Sequence, residues 1–264
     1  MGSEKMKLEG KVAIITGAGR GLGRASAIEM AKEGASLVIL SRTPPELRET
    51  AKRITDLGGK VLSVRADVSK PKDVEKVVHQ TLSRFNKIDI LMNNAAIIGP
   101  LKSTFKIKGR EWNQTLDINL KGVYLFSKAV IPHMIKQERG KIINVVSGLG
   151  EIVMPPFGAY SVAKAGLIHL TKFMAEELKD YGIQVNGLDP GIMDTRMQEE
   201  IRGAGPGVLG IELYKQVRGW KERGELKPPE QVARLAVFLA SAASDSINGQ
   251  SGTETTYRKW GYRG

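Results

Sequence analysis

A chain of 264 residues with no cysteine and a formal charge of +12 rules out disulfide scaffolds, thiolate catalysis and Cys-ligated metal sites. No run reaches the ~18 consecutive apolar residues of a membrane span, and the opening MGSEKMKLEGK is charged where a secretion signal would be apolar. A soluble, cytoplasmic protein with no membrane partner is expected, long enough for one α/β domain with a sizeable core.

Taken in chain order, short β-branched apolar runs alternate with longer helix-like stretches. The runs are KVAIIT (11–16), SLVIL (36–40), KVLSVRA (60–66), DILMN (89–93), GKIINVVS (140–147) and IQVNGLD (183–189), with a last candidate at GQSGTETT (249–256). Between them, stretches such as PELRETAKRITDLGG and PKDVEKVVHQTLSRFN carry apolar positions three and four apart. Continuous apolar strands joined by crossover helices predict a parallel sheet of about seven strands, doubly wound and covered on both faces. That is a three-layer α/β/α arrangement, one domain over residues 1–264. The stretch 196–229 breaks the rhythm with glycines at 203, 205, 207, 210, 219 and 224. It is expected to be a mobile insertion whose apolar members, among them Val208, Leu209, Leu213, Val217 and Trp220, close over a ligand.

The positive charge would suit nucleic acid, an anionic cofactor or an acidic protein. Its cations are scattered, as in LKSTFKIKGREW, with no zinc-finger spacing or RNP-type motif, so nucleic acid is not expected. His79, His133 and His169 share no ligand spacing, and no metal is expected.

The first run leads straight into TGAGRGLGRA, where Gly17, Gly21 and Gly23 follow a G-x-x-x-G-x-G spacing. Glycines there permit a tight turn and close approach of backbone to a pyrophosphate, and the following helix N-terminus, at Gly21–Leu22, offers free N–H groups to it. A dinucleotide-binding domain of Rossmann type is the reading. An NAD site wants an acid at the end of the second strand to bind the ribose 2′-hydroxyl. Ser41 and Arg42 stand there instead, with no acid before Glu46. A guanidinium binds a 2′-phosphate that a carboxylate would repel, and Arg20 in the turn is a second cation, so NADP(H) is favoured over NAD(H). Further along, GAYSVAKAG places Tyr160 and Lys164 one helical turn apart, a phenol beside an ammonium among small neighbours.

With these motifs in order, the sequence resembles the short-chain dehydrogenase/reductase family from about Leu8 to Gln250. The resemblance also rests on ADVS (Asp67, Val68), NNAA (93–96, including Asn94 and Ala95), DINLKG with Asn119, INVVSG with Ser147, YSVAK, and PGIMDT (190–195). It implies that Asp67 and Val68 touch the adenine and that Asn94 and Ala95 lie along the cofactor. It implies too that Pro190, Gly191, Ile192 and Thr195 hold the nicotinamide carboxamide. By the same resemblance Tyr160 protonates a carbonyl oxygen as hydride arrives, Ser147 hydrogen-bonds that oxygen, Lys164 holds the nicotinamide ribose, and Asn119 positions a relay water. A nearby ammonium is expected to lower the phenol from its usual value near 10. Two departures stand out: Ala96 replaces the usual Gly of that motif, and the C-terminal INGQSGTETTYRKWGYRG lacks the usual DGG that helps build the tetramer.

Substrate walls are expected from Ile97, Ile98, Met154, Pro155, Pro156 and Phe157, with Ser147 and Tyr160 at the reacting end. Their apolar character predicts a ketone, quinone or 3-oxoacyl thioester reductase, the thioester carried by acyl carrier protein or coenzyme A. A sugar or polyol dehydrogenase is the alternative, and a non-catalytic NADP(H)-binding sensor a remoter one. A homotetramer or homodimer is expected, through helices around 103–137 and 159–181.

Overall fold

The computed structural model describes residues 6–264. Seven parallel strands, β1 (Val12–Thr16), β2 (Ser36–Ser41), β3 (Val61–Arg65), β4 (Ile90–Asn93), β5 (Gly140–Val145), β6 (Ile183–Leu188) and β7 (Ser251–Gly252), form one sheet in the order β3-β2-β1-β4-β5-β6-β7. The order reverses between β1 and β4. There the crossovers leave toward opposite faces, and a crevice opens beyond the carboxyl ends of the strands.

Each strand feeds two cores because successive side chains point to opposite faces. Ile15, Ile39, Met92 and Ile143 enter one, against α1 (Gly21–Lys32), α2 (Pro44–Asp56) and α10 (Pro229–Ala240). Their neighbours Ile14, Val38, Leu91 and Ile142 enter the other, against α3 (Pro71–Phe85), α5 (Gly122–Lys136) and α6 (Gly158–Leu178). This two-sided burial is why the strands read as unbroken apolar runs. At the amino end of the sheet Asp89 is buried, accepts the Val12 N–H at 2.9 Å, and is ringed by Lys87 (3.0 Å), Arg139 (3.6 Å) and Lys11 (3.8 Å).

Two segments add to this frame. After β4, α4 (Gly109–Leu116) runs into a π-helical turn, Asp117–Lys121, and then into α5. After β6, residues 196–222 form three helices: α7 (Arg196–Gly203), α8 (Pro206–Leu209) and α9 (Ile211–Glu222). The glycine-rich insertion is thus mostly helical, with positive-φ glycines at 205 and 210 on either side of α8. Its two ends meet: Met193 bridges Lys227, the Asp194 N–H donates to the Lys227 carbonyl at 2.9 Å, and the Lys227 N–H donates to the Ile192 carbonyl at 3.0 Å. No helix among the described residues is long and apolar enough to cross a membrane.

The last strand is shorter than its sequence run because the chain turns at Thr253 into α11 (Glu254–Arg258). The tail packs back on its own sheet edge. Tyr257 is fully buried and its hydroxyl donates to the carbonyls of Gly187 (2.7 Å) and Gln250 (3.0 Å), while Tyr262 lies 5.5 Å from the Phe238 ring. Tyr257→Ala should therefore lower unfolding free energy by about 3–5 kcal/mol in a urea titration. A loss under about 0.5 kcal/mol would mean that the tail is peripheral.

Candidate active site

The crevice is built first by the clasp between β1 and β4. Thr16 Oγ1 accepts the N–H groups of Asn94 (2.9 Å) and Ala95 (3.0 Å), and Asn94 Nδ2 donates to the Thr16 carbonyl at 2.9 Å. The glycine turn fits inside that clasp. Gly17 has φ +66°, and a Cβ there would stand 2.8 Å from the Ala95 backbone; one on Gly23 would stand 2.5 Å from Asn94 Nδ2. Gly23 thus serves close packing of α1 against the turn. Gly21 and the buried Leu22 open α1.

A cleft of about 770 Å³ runs from this turn to α6. Of the residues expected to hold the cofactor, Gly17, Arg20, Gly21, Leu22, Ser41, Arg42, Asp67, Val68, Asn94, Ala95, Tyr160, Lys164, Pro190 and Thr195 all line it. Gly23, Gly191 and Ile192 do not line it, Gly23 being buried and Gly191 exposed to solvent. Thr195 precedes α7 and makes no capping bond with its side chain.

Charges at the β2 end are already paired. Arg42 Nη1 lies 3.9 Å from Asp67 Oδ2, and Arg20 Nη1 lies 3.5 Å from Glu46 Oε1. The acid that the sequence places too late in the chain is returned to the turn by α2. A Cβ on Gly19 would stand 3.1 Å from both Glu46 Oε2 and Ser41 Oγ. Arg24 and Thr50 fasten this corner, Thr50 Oγ1 donating to the Ala18 carbonyl at 3.0 Å. Burial pushes the Asp67 carboxyl up, but the Ser69 N–H and hydroxyl and the Arg42 guanidinium outweigh it and leave it below the ordinary value.

The other end of the cleft holds the phenol and the ammonium. Tyr160 and Lys164 are both buried on α6, with the Lys164 Nζ 5.6 Å from the centre of the Tyr160 ring. Lys164 Nζ donates to the Val145 carbonyl at 2.6 Å. Contrary to expectation, the Tyr160 phenol is pushed up to about 12: desolvation dominates, the Ser147 hydroxyl opposes it, and the Asp189 carboxylate adds to it. Lys164 Nζ bonds to backbone rather than to the phenol, and burial brings its own ammonium down to about 8. Ser147 follows β5, where its Oγ accepts the Leu149 N–H at 3.2 Å.

Asn119 sits in the π-helical turn with both ends of its amide engaged. Oδ1 accepts the Ile97 N–H at 2.9 Å and Nδ2 donates to the Ile97 carbonyl at 2.8 Å. Under the site runs a chain that spacing did not announce: Asn93 Nδ2 donates to Asn144 Oδ1 (2.9 Å), whose Nδ2 donates to Thr171 Oγ1 (2.9 Å). It ties β4 and β5 to α6 below the reacting groups.

Above Tyr160 lies an apolar cluster of Ile98, Phe157, Ile201, Leu209 and Val217, with Met154, Leu213 and Trp220 packed against it. Phe157 and Met154, expected as substrate residues, are thus beside the phenol, and the 196–222 helices pack over it.

This arrangement has relatives. The short chain dehydrogenase family model matches residues 11–204. The chain belongs to the short-chain dehydrogenase/reductase family. It is 34% identical over 245 residues to the 3-oxoacyl-[acyl-carrier-protein] reductase of Thermotoga maritima, covering 93% of this chain and 96% of that one. It is also 34% identical to the 2-dehydro-3-deoxy-D-gluconate 5-dehydrogenase of Escherichia coli, with 92% of each chain covered. The structure of an NAD+-bound xylitol dehydrogenase superposes with a TM-score of 0.87 at 27% identity, over 94% of this chain and 98% of that one. The protein is an oxidoreductase that interconverts CH–OH and carbonyl groups with a nicotinamide dinucleotide.

Asn119→Ala strands the Ile97 N–H and carbonyl without partners. Stability should fall by about 2–4 kcal/mol in chemical denaturation, and turnover with it. An unchanged midpoint would show that the amide is dispensable to the turn.

Proposed function

We propose that the protein is an NADP(H)-dependent reductase of an apolar carbonyl compound, a ketone, quinone or 3-oxoacyl thioester. The observation that carries this reading is a buried phenol, protonated through neutral pH, enclosed by apolar side chains at the end of a dinucleotide-sized cleft. The cleft fits the cofactor: its glycine cradle is one that a Cβ at Gly17 would fill, and its β2 end carries Arg20, Arg42 and Ser41 for a 2′-phosphate. When bound, the nicotinamide supplies the hydride.

The chain's own residues do the rest. Tyr160 donates its proton to the substrate oxygen, and a general acid placed in this way is worth about 10²–10⁴ in rate. The Ser147 hydroxyl orients the same oxygen. Lys164, held by the Val145 carbonyl, reaches the cofactor ribose and supports the charge left as the phenol gives up its proton. Asn119, its side chain engaged, acts by fixing Ile97 and the π-helical turn rather than by binding substrate. Pro190, Gly191, Ile192 and Thr195 hold the carboxamide, and Asp67, Val68, Asn94 and Ala95 the adenosine. The 196–222 helices act as a lid that lifts about its paired base at Met193 and Lys227 to admit substrate.

One observation favours a second cofactor reading. Glu46 beside Arg20 offers a carboxylate to a ribose 2′-hydroxyl, which would suit NAD(H). The surface across the 116–124 turn and α6 leaves Tyr124, Val162 and Phe173 half-exposed, and it supports a dimer or tetramer through these helices. The basic surface would favour an acidic acyl carrier protein as the bearer of a thioester substrate.

Calorimetric titration decides the cofactor. NADPH should bind more tightly than NADH, Arg42→Ala should weaken NADPH about ten- to a hundredfold, and Glu46→Gln should widen the preference for NADPH. Tighter NADH binding that Glu46→Gln abolishes would assign Glu46 to the ribose and the protein to NAD(H). Tyr160→Phe should keep cofactor affinity and lose carbonyl reduction about 10²–10⁴-fold. Retained turnover would remove Tyr160 as the acid.

A further inference from the structure

The end of β6 carries a carboxylate for which the reaction as described has no use. Asp189 follows Leu188, which lies in register with Val145 of β5, and the Val146 N–H donates to the Leu188 carbonyl at 2.9 Å. Asp189 is thereby set beside the Ser147–Gly148 turn, where a Cβ on Gly148 would stand 3.4 Å from Asp189 Oδ2. It is fixed twice. Its own N–H donates to the Gly252 carbonyl at 2.8 Å, and its Oδ1 accepts the Gly191 N–H at 2.9 Å. No described side chain forms an ion pair with it.

The same strand end anchors Lys164, whose Nζ donates to the Val145 carbonyl. Ammonium and carboxylate therefore flank neighbouring residues of one strand pair. Among the described residues, Asp189 is the charge that acts on both Tyr160 and Lys164. The β5 end offers the Ser147 hydroxyl, the turn Gly148–Gly150 carries no ionisable side chain, α6 places Ala163 and Ala165 around the lysine, and the lid presents Ile201, Leu209 and Val217. Burial strips charge from a lysine. It brings Lys164 down to about 8, and the Asp189 carboxylate is the charge that opposes the fall. On Tyr160 the same carboxylate acts with burial to hold the proton on the phenol.

We propose that Asp189 is a positioning residue for the acid–base pair: its carboxylate, fixed at the end of β6 by the Gly191 N–H, supports the positive charge that Lys164 holds at the neighbouring end of β5. The inference rests on the reading of that pair as the reaction's acid–base centre.

Substitutions at this position separate charge from shape. Asp189→Asn keeps an acceptor for the Gly191 N–H and removes the charge; Asp189→Ala removes both; Asp189→Glu restores the charge. The full-length protein labelled with ¹³C at lysine Cε is titrated by NMR without cofactor, Lys164→Arg identifying the signal. The Lys164 midpoint should lie near 8 in the unaltered protein. It should fall by about one pH unit in Asp189→Asn and in Asp189→Ala, and return toward the original value in Asp189→Glu. The upper limb of the pH profile of kcat for ketone reduction should move down with it in Asp189→Asn. An unchanged Lys164 midpoint in Asp189→Asn overturns the proposal, as does a shift seen in Asp189→Ala alone, which would assign the effect to the Gly191 turn. A midpoint shift without carbonyl turnover in any of these proteins supports the coupling and overturns the proposed reaction instead.

Discussion

Everything in the crevice hangs on the bonds between Thr16 and Asn94. β1 and β4 are neighbours in the sheet but far apart in sequence, and the strand order reverses between them. One threonine hydroxyl accepting two backbone N–H groups, with the Asn94 amide returning to the Thr16 carbonyl, fixes how far apart their ends stand. The glycine turn is shaped to that spacing. Gly17 meets Ala95 and Gly23 meets Asn94 without room for a methyl group, so the glycine turn and the wall that faces it are set by the same few atoms.

Burial governs the chemistry at both ends of the sheet, with opposite outcomes. At the amino end, Asp89 is buried among three cations and a backbone N–H, a structural use of charge that also consumes part of the basic excess. At the carboxyl end, Lys164 is buried with a carbonyl as its direct partner, and Tyr160 with apolar neighbours and the Ser147 hydroxyl. Unpaired, those groups move away from their ordinary protonation behaviour, as groups in active sites commonly do. The Asn93–Asn144–Thr171 chain supplies the rigid floor, since a fully satisfied polar network holds a single arrangement.

The fold was legible because two-sided burial writes itself as unbroken apolar runs, and six of the seven strands coincide with such runs to within a residue or two at either end. β7 was less so, since only Ser251 and Gly252 pair before Thr253 turns the chain into a helix. The insertion read as glycine-rich and loose because glycine marks where helices end, while α7 to α9 owe their order to contacts with Phe157 and Tyr160 made across the fold. Glu46 was invisible as a cofactor-site residue, because counting from the end of β2 says nothing of how α2 swings it back to Arg20. Asn119 was legible as a position, but that its amide is spent on Ile97 depends on a π-helical turn that no local pattern announces. Asp189 lay unremarked beside the conspicuous Pro190–Gly191, and its meaning comes from strand register.

The last strand bears on how the sheet is closed. The flank of β6 away from β5 is sealed by residues 251–252 and locked by Tyr257. Only Ser251 and Gly252 pair with β6 there, so closure of this edge depends on the Tyr257 bonds to the Gly187 and Gln250 carbonyls as much as on the strand itself. An open strand edge is a template for pairing with another chain. The hold of Tyr257, rather than the six longer strands, is then what keeps this edge closed to a neighbouring chain.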